Sequence, residues 1–151
     1  MRTLLLLLLI INLHADNYTY LVDKYDKDVD LEAKIINKIA KDILKESLIS
    51  LYIPNMNSLD KKVYSTKFNL VENCQEASFV FVKYKDNLNE CKTLKNKYLF
   101  TNNYKALIKN SRYLGAFFWS KSRPNIVFIK DRLTAKKLTL PKEYNQFIED
   151  F

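Results

Sequence analysis

Residues Ala77 to Tyr84 read ASFVFVKY. Phe79, Val80, Phe81 and Val82 follow one another with no polar alternation, which suits a central strand covered on both faces. Downstream, Tyr98, Leu99 and Phe100 make another short strand, and Asn102 or Asn103 can cap a helix carrying Tyr104, Leu107 and Ile108. The polar stretch between them, Asp86 to Lys97, reads as a helix with Leu88, Cys91 and Leu94 on one face. Strand and helix alternate from residue 77 to residue 110, which argues for α/β packing.

Upstream, Leu31, Ile35, Ile39 and Ile43 recur in steps of four, flanked by Ile36, Ala40 and Leu44, while Glu32, Lys34, Lys38, Lys41, Asp42 and Lys45 face elsewhere. That spacing predicts an amphipathic helix buried against a sheet, with Asp28 or Asp30 capping its start. Asn17 to Asp30 is polar and reads as a lead-in arm. Ser47 to Ile53 is a strand ended by Pro54, Asn55 to Lys62 a turn and loop, and Val63 to Val71 a half-exposed strand built on Val63, Phe68 and Leu70. After residue 110 the pattern changes. Arg112 to Trp119 and Asn125 to Lys130 are two strands joined by so short a connection that they must form an antiparallel hairpin. A helix near Asp131 to Lys136, a break at Pro141 and a last amphipathic turn through Tyr144, Phe147, Ile148 and Phe151 complete the chain. The expectation is one α/β domain over residues 31–151, a sandwich with a mixed central sheet, helices on its faces and a C-terminal antiparallel hairpin.

The N-terminus points to an address. Met1, Arg2 and Thr3 are followed by an apolar run from Leu4 to Leu13, and Ala15 precedes polar Asp16. This reads as a secretory signal peptide over residues 1–15; a bilayer-spanning anchor would need about 20 apolar residues. Cleavage there also removes Arg2, one unit of the +8 formal charge, and His14, the only histidine. Without histidine, the usual triads and His-based zinc sites are excluded. Gly115 is the only glycine, so phosphate-cradling loops and dinucleotide folds are excluded too. Gly115 itself reads as a position of close packing within its strand.

Cys74 and Cys91 lie 17 positions apart. In an exported chain this pair is most simply a structural disulfide worth about 3 kcal/mol; a redox-active pair or two free thiols are the alternatives. At the hairpin turn, Trp119, Lys121 and Arg123 bring an aromatic ring and two cations together, a grouping that can contact a partner or an anion; an exposed basic turn over a packed tryptophan is the plainer reading. Ten tyrosines and nine phenylalanines could stack bases, but the lysines are interleaved with acids along the whole chain, and no focused nucleic-acid surface results. Asp86, Glu90, Asp131 and Glu143 are the carboxylates open to acid/base work, and none sits in a catalytic motif. No catalytic residue, cofactor or metal is expected.

The order of elements resembles that of the YfiR family, small periplasmic proteins that hold membrane-bound diguanylate cyclases in check. The residues carrying the resemblance are Leu31 to Lys45, Asn73-Cys74 ahead of Phe79 to Val82, Tyr98 to Thr101, Gly115-Ala116-Phe117-Phe118, and Ile126 to Ile129 followed by Leu138-Thr139-Leu140-Pro141. The chain departs from the family pattern at Leu114-Gly115, where paired glycines are usual, and at Ile129-Lys130-Asp131, where a polar asparagine usually comes soon after the last strand's phenylalanine. The resemblance implies an α/β sandwich, a structural disulfide and a sensor or inhibitor that binds the periplasmic domain of a membrane signalling protein. The expected function is therefore a periplasmic, non-enzymatic regulator acting by protein contact, switched by redox state through Cys74 and Cys91. It would meet the membrane only through its partner, and a homodimer is compatible with it. The alternative is a small periplasmic solute- or envelope-polymer-binding protein using the Trp119, Lys121 and Arg123 turn.

Overall fold

The computed structural model describes residues 15–83, 91 and 97–151. The helix read over Asp86 to Lys97 lies, apart from Cys91 and Lys97, outside the described residues, as does the apolar run Leu4 to Leu13 on which the signal-peptide expectation rests.

Seven strands form one sheet: β1 (Ser50–Tyr52), β2 (Asn69–Leu70), β3 (Phe79–Val82), β4 (Tyr98–Thr101), β5 (Tyr113–Ser120), β6 (Arg123–Ile129) and β7 (Ile148–Glu149), in the order β2-β1-β3-β4-β5-β6-β7. The first five run parallel, β6 is antiparallel to β5, and β7 is parallel to β6. The mixed sheet carries helices on both faces, in agreement with the sequence pattern. β3 is fully buried, and its side chains alternate between two cores. Phe79 and Phe81 join the first with Phe100, Phe117 and Phe128, while Val80 and Val82 join the second with Leu99, Ala116 and Val127.

Helices α1 (Ala15–Leu44), α2 (Ser58–Tyr64) and α4 (Lys130–Ala135) cover the first core, and α3 (Tyr104–Lys109) packs Leu107 into the second. The lead-in expected from Asn17 to Asp30 is helical and continuous with the remainder of α1, because no Gly or Pro interrupts residues 15–44. Asp28 and Asp30 therefore lie within α1 and do not cap it; Asp30 binds Lys34 at 2.7 Å and Lys67 at 2.7 Å. Lys45, at φ 60°, ends the helix in a left-handed turn. The buried stripe of α1 is also rotated from the one expected. Val29, Ala33, Ile36, Ile39, Ala40 and Ile43 are buried, Leu31 is exposed, and Glu32 is inside.

Residues 55–71 also differ from the expected pattern. The loop expected over Asn55 to Lys62 contains α2, whose start is capped by the Asn57 side chain accepting from the Asp60 amide at 2.8 Å. Val63 belongs to that helix, so the strand expected over Val63 to Val71 shrinks to β2. The Asn103 cap is present, its side chain accepting from the Ala106 amide at 3.1 Å.

The β5–β6 hairpin turns on Lys121 and Ser122 alone, at φ 49° and 59°, with Ser120 opposite Arg123. Two successive positive φ values define the turn that matches strand twist. On the other side of β5, the register against β4 shifts by one residue between Leu99/Tyr113 and Phe100/Gly115, a bulge at Leu114. Gly115 fits there because an added Cβ would lie 2.5 Å from both the Phe100 ring and the Val127 carbonyl oxygen.

Candidate functional site

In an open parallel sheet, ligands commonly bind outside the carboxyl ends of the strands where strand order reverses. Here that point lies between β1 and β3, and it is filled. Lys83, one residue past β3, sends its Nζ to Glu32 Oε1 of α1 at 2.6 Å and to Asp60 Oδ1 of α2 at 2.7 Å. The side chains are 6 %, 6 % and 0 % exposed, respectively. Tyr64 of α2 donates its hydroxyl to Glu32 Oε1 at 2.8 Å, and the ammonium sits 5.4 Å from the Tyr64 ring centroid. Burial alone would favour the neutral amine. The Glu32 charge and the hydrogen bonds to Asp60 and Glu32 outweigh it, so the Lys83 pKa is raised. An ammonium held this way is a poor nucleophile; it clamps α1, α2 and β3 together.

The sequence pattern does not by itself reveal this cluster, since it turns Glu32 away from the sheet and places Asp60 in a loop. The available signal is Glu32 itself: Val29, Glu32, Ile36, Ile39 and Ile43 are spaced three and four apart, so a carboxylate stands on the apolar stripe.

The hairpin residues separate. Trp119 is half-buried on the first-core face, its ring edge-on to Phe117 at 5.8 Å. Strand alternation puts Arg123 on the opposite face with Asn125 and Val127, and Lys121 occupies the tip. Lys121 and Arg123 are exposed and form no ion pair among the described residues. Of the four carboxylates open to acid/base work, Asp86 and Glu90 lie outside the described residues, Asp131 is exposed, and Glu143 binds Lys38 at 2.8 Å. No group of three or more metal-ligating side chains occurs among the described residues.

Cys74 and Cys91 form a disulfide with Cα atoms 5.6 Å apart, both buried in the second core. The bridge fits an oxidising compartment. No helix among the described residues is long and apolar enough to cross a membrane.

Two surface features remain. On the second-core side, Tyr104 and Ile108 of α3 are 36 % and 42 % exposed, and the Tyr104 ring lies 5.6 Å from Phe118. The Tyr104 hydroxyl donates to Glu149 at 3.3 Å, and burial, then the Glu149 charge, raises its pKa. On the first-core side a groove of about 460 Å³ opens between α1, β6 and the 3₁₀ helix Lys142–Phe147. Its floor is Ile35, Ile39, Ile126, Tyr144 and Phe147, and its rim Lys34, Lys38, Glu143 and Gln146. One wall is braced by charge. Lys38 reaches Asp42 at 3.0 Å as well as Glu143, and the Tyr144 hydroxyl donates to Asp42 at 2.6 Å. Burial pushes the Asp42 carboxyl up, but the bonds from Tyr144 and Lys38 prevail and its pKa is lowered. The bonds to Glu143 and Asp42 raise that of Lys38.

Fold and surface together define a mixed α/β domain with a closed switch point, an aromatic patch on one face and an apolar groove on the other. No family model matches the chain, and no curated protein matches it. Among solved structures it is similar to a conserved domain protein from Vibrio cholerae O1 biovar eltor str. N16961, with a TM-score of 0.53 and 11 % identity over 81 % of this chain and 59 % of that one. This chain thus matches under two thirds of that protein's length, and the likeness is one of fold.

Proposed function

We propose that this chain is an exported, non-enzymatic regulatory protein that works by contact with another protein, the periplasmic domain of a membrane signalling protein. The observation that carries the reading is the patch on α3. Tyr104, whose ring meets Phe118, and Ile108 stay exposed although buried apolar cores lie on both faces of the sheet, and exposed aromatic and aliphatic groups of this kind are what interface centres use. The closed switch point supports it, since the place where such sheets hold small substrates is occupied by the Lys83 clamp. The resemblance to YfiR-type repressors supplies the class of partner, and the disulfide supports export. Burial of both sulfurs favours a structural bridge over a redox switch. The test is co-purification from the native envelope fraction with the parent chain and with Ile108→Asp. A membrane signalling protein is expected with the parent only, at unchanged thermal stability; its retention by Ile108→Asp, or its absence from both, refutes the proposal.

A second reading, retention of a solute or anionic envelope polymer at the hairpin tip, draws on the exposed Lys121 and Arg123, which form no ion pair among the described residues. Reversing both charges would abolish polyanion binding under that reading and leave the α3 contact untouched.

A further inference from the structure

The groove on the first-core face is independent of the α3 patch and has features of a ligand site. We infer that it binds a single-chain anionic amphiphile, the apolar body lying over Ile35, Ile39, Ile126 and Phe147 and the anionic head at Lys34. Its volume of about 460 Å³ falls in the range of small-ligand sites, about 300–1,000 Å³ with mostly apolar walls. A protein interface of standard size buries about 800 Å² per partner, far more than this cleft between one helix, one strand and a 3₁₀ turn offers.

Charge decides what kind of head group fits. The full sequence carries +8 and stays strongly positive without Arg2, which disfavours a cationic ligand or a second copy of the chain as occupant. On the rim, Lys38 is committed to both Asp42 and Glu143. Lys34 is not committed in this way. Its ion-pair partner among the described residues, Asp30, is also held by Lys67 at 2.7 Å, and the Lys34–Asp30 pair is exposed, so its loss costs little. Lys34 can therefore turn to a ligand without stranding Asp30, and Lys67 is the residue that frees it. Lys67 acts as a positioning residue, far along the chain from the cation it releases.

The experiment is a calorimetric titration of the full exported chain with octanoate, decanoate and dodecanoate below their micelle concentrations, beside dodecyltrimethylammonium and phosphatidylglycerol vesicles. Expected are one saturable site for dodecanoate, affinity rising about threefold to fourfold per added methylene, and at least tenfold weaker binding of the cationic amphiphile. Ile126→Glu should abolish the site. Lys34→Glu, a change at an exposed position that leaves the fold intact, should weaken dodecanoate about tenfold. Lys67→Met should also weaken it, because Asp30 then holds Lys34, while leaving the chain-length slope unchanged. Equal affinity for the two dodecyl amphiphiles, no saturable binding, binding that survives Ile126→Glu, or binding to vesicles alone would each overturn the inference. None of these outcomes bears on the α3 contact, so the two proposals fail separately.

Discussion

Replacing Lys83 by methionine removes the cation between Glu32 and Asp60 while keeping the length of the side chain. Both carboxylates are then left in a space whose three side chains are 6 %, 6 % and 0 % exposed. Breaking a buried ion pair by deleting one partner typically costs about 3–5 kcal/mol, because the remaining charge is uncompensated. Tyr64 still donates to Glu32, which keeps the expected loss near the lower end, about 3 kcal/mol. For a domain of this size that corresponds to a fall in Tm of roughly 6–12 °C; the loss itself is readable by urea titration with circular dichroism. The triple variant Lys83→Met, Glu32→Gln, Asp60→Asn should recover most of the stability. A loss below about 1 kcal/mol, or a triple variant no more stable than Lys83→Met, would refute the clamp.

Other outcomes rest on the same structure. In the parent, the Lys83 pKa is raised, so its contribution is fully present below the ordinary lysine pKa and lost as pH rises through the folded value; alkaline unfolding monitored by circular dichroism should come later in pH than that of a chain with ordinary lysines. Gly115→Ala forces a Cβ against the Val127 carbonyl oxygen and the Phe100 ring and should cost about 1–3 kcal/mol in a urea titration. Arg132 donates from one Nη1 to the carbonyls of Leu107 at 2.8 Å, Asn110 at 3.2 Å and Tyr113 at 2.6 Å; Arg132→Ala should cost about 1–3 kcal/mol and release amide exchange protection at the end of α3. Cys74→Ser with Cys91→Ser should lower stability by about 3 kcal/mol, and the buried native bridge should resist millimolar dithiothreitol until the chain unfolds.

The sheet is legible in the sequence because its strands carry strong local signals. The unbroken Phe79 to Val82 run, the Tyr98 to Thr101 strand and the two hairpin strands are apolar over lengths that only strands sustain here, and the Asn103 cap is a local motif. Residues 55–71 are harder. Ser58–Tyr64 is under two helical turns and mixes Lys with β-branched Val63, so its helicity comes from the Asn57 cap and from Tyr64 packing on Phe81. The start of α1 is hidden by its polar composition, which suggests an arm, although a polar helix needs only a continuous backbone and an anchor further along. The candidate sites are least legible. The clamp joins residues 32, 60 and 83, and the groove joins residues 34–39 to 126 and 143–147; such separations depend on strand order, which single-sequence periodicity does not encode.

The proposed function stands or falls with the outer face of α3 as a protein-contact surface. A photo-crosslinking amino acid placed at Ile108 in the native cell tests it most directly, with the same group at Leu48, an exposed leucine just before β1, as the control. A discrete adduct with a membrane signalling protein is expected from position 108 and none from position 48. No protein adduct from position 108, or the same adducts from both positions, would contradict it.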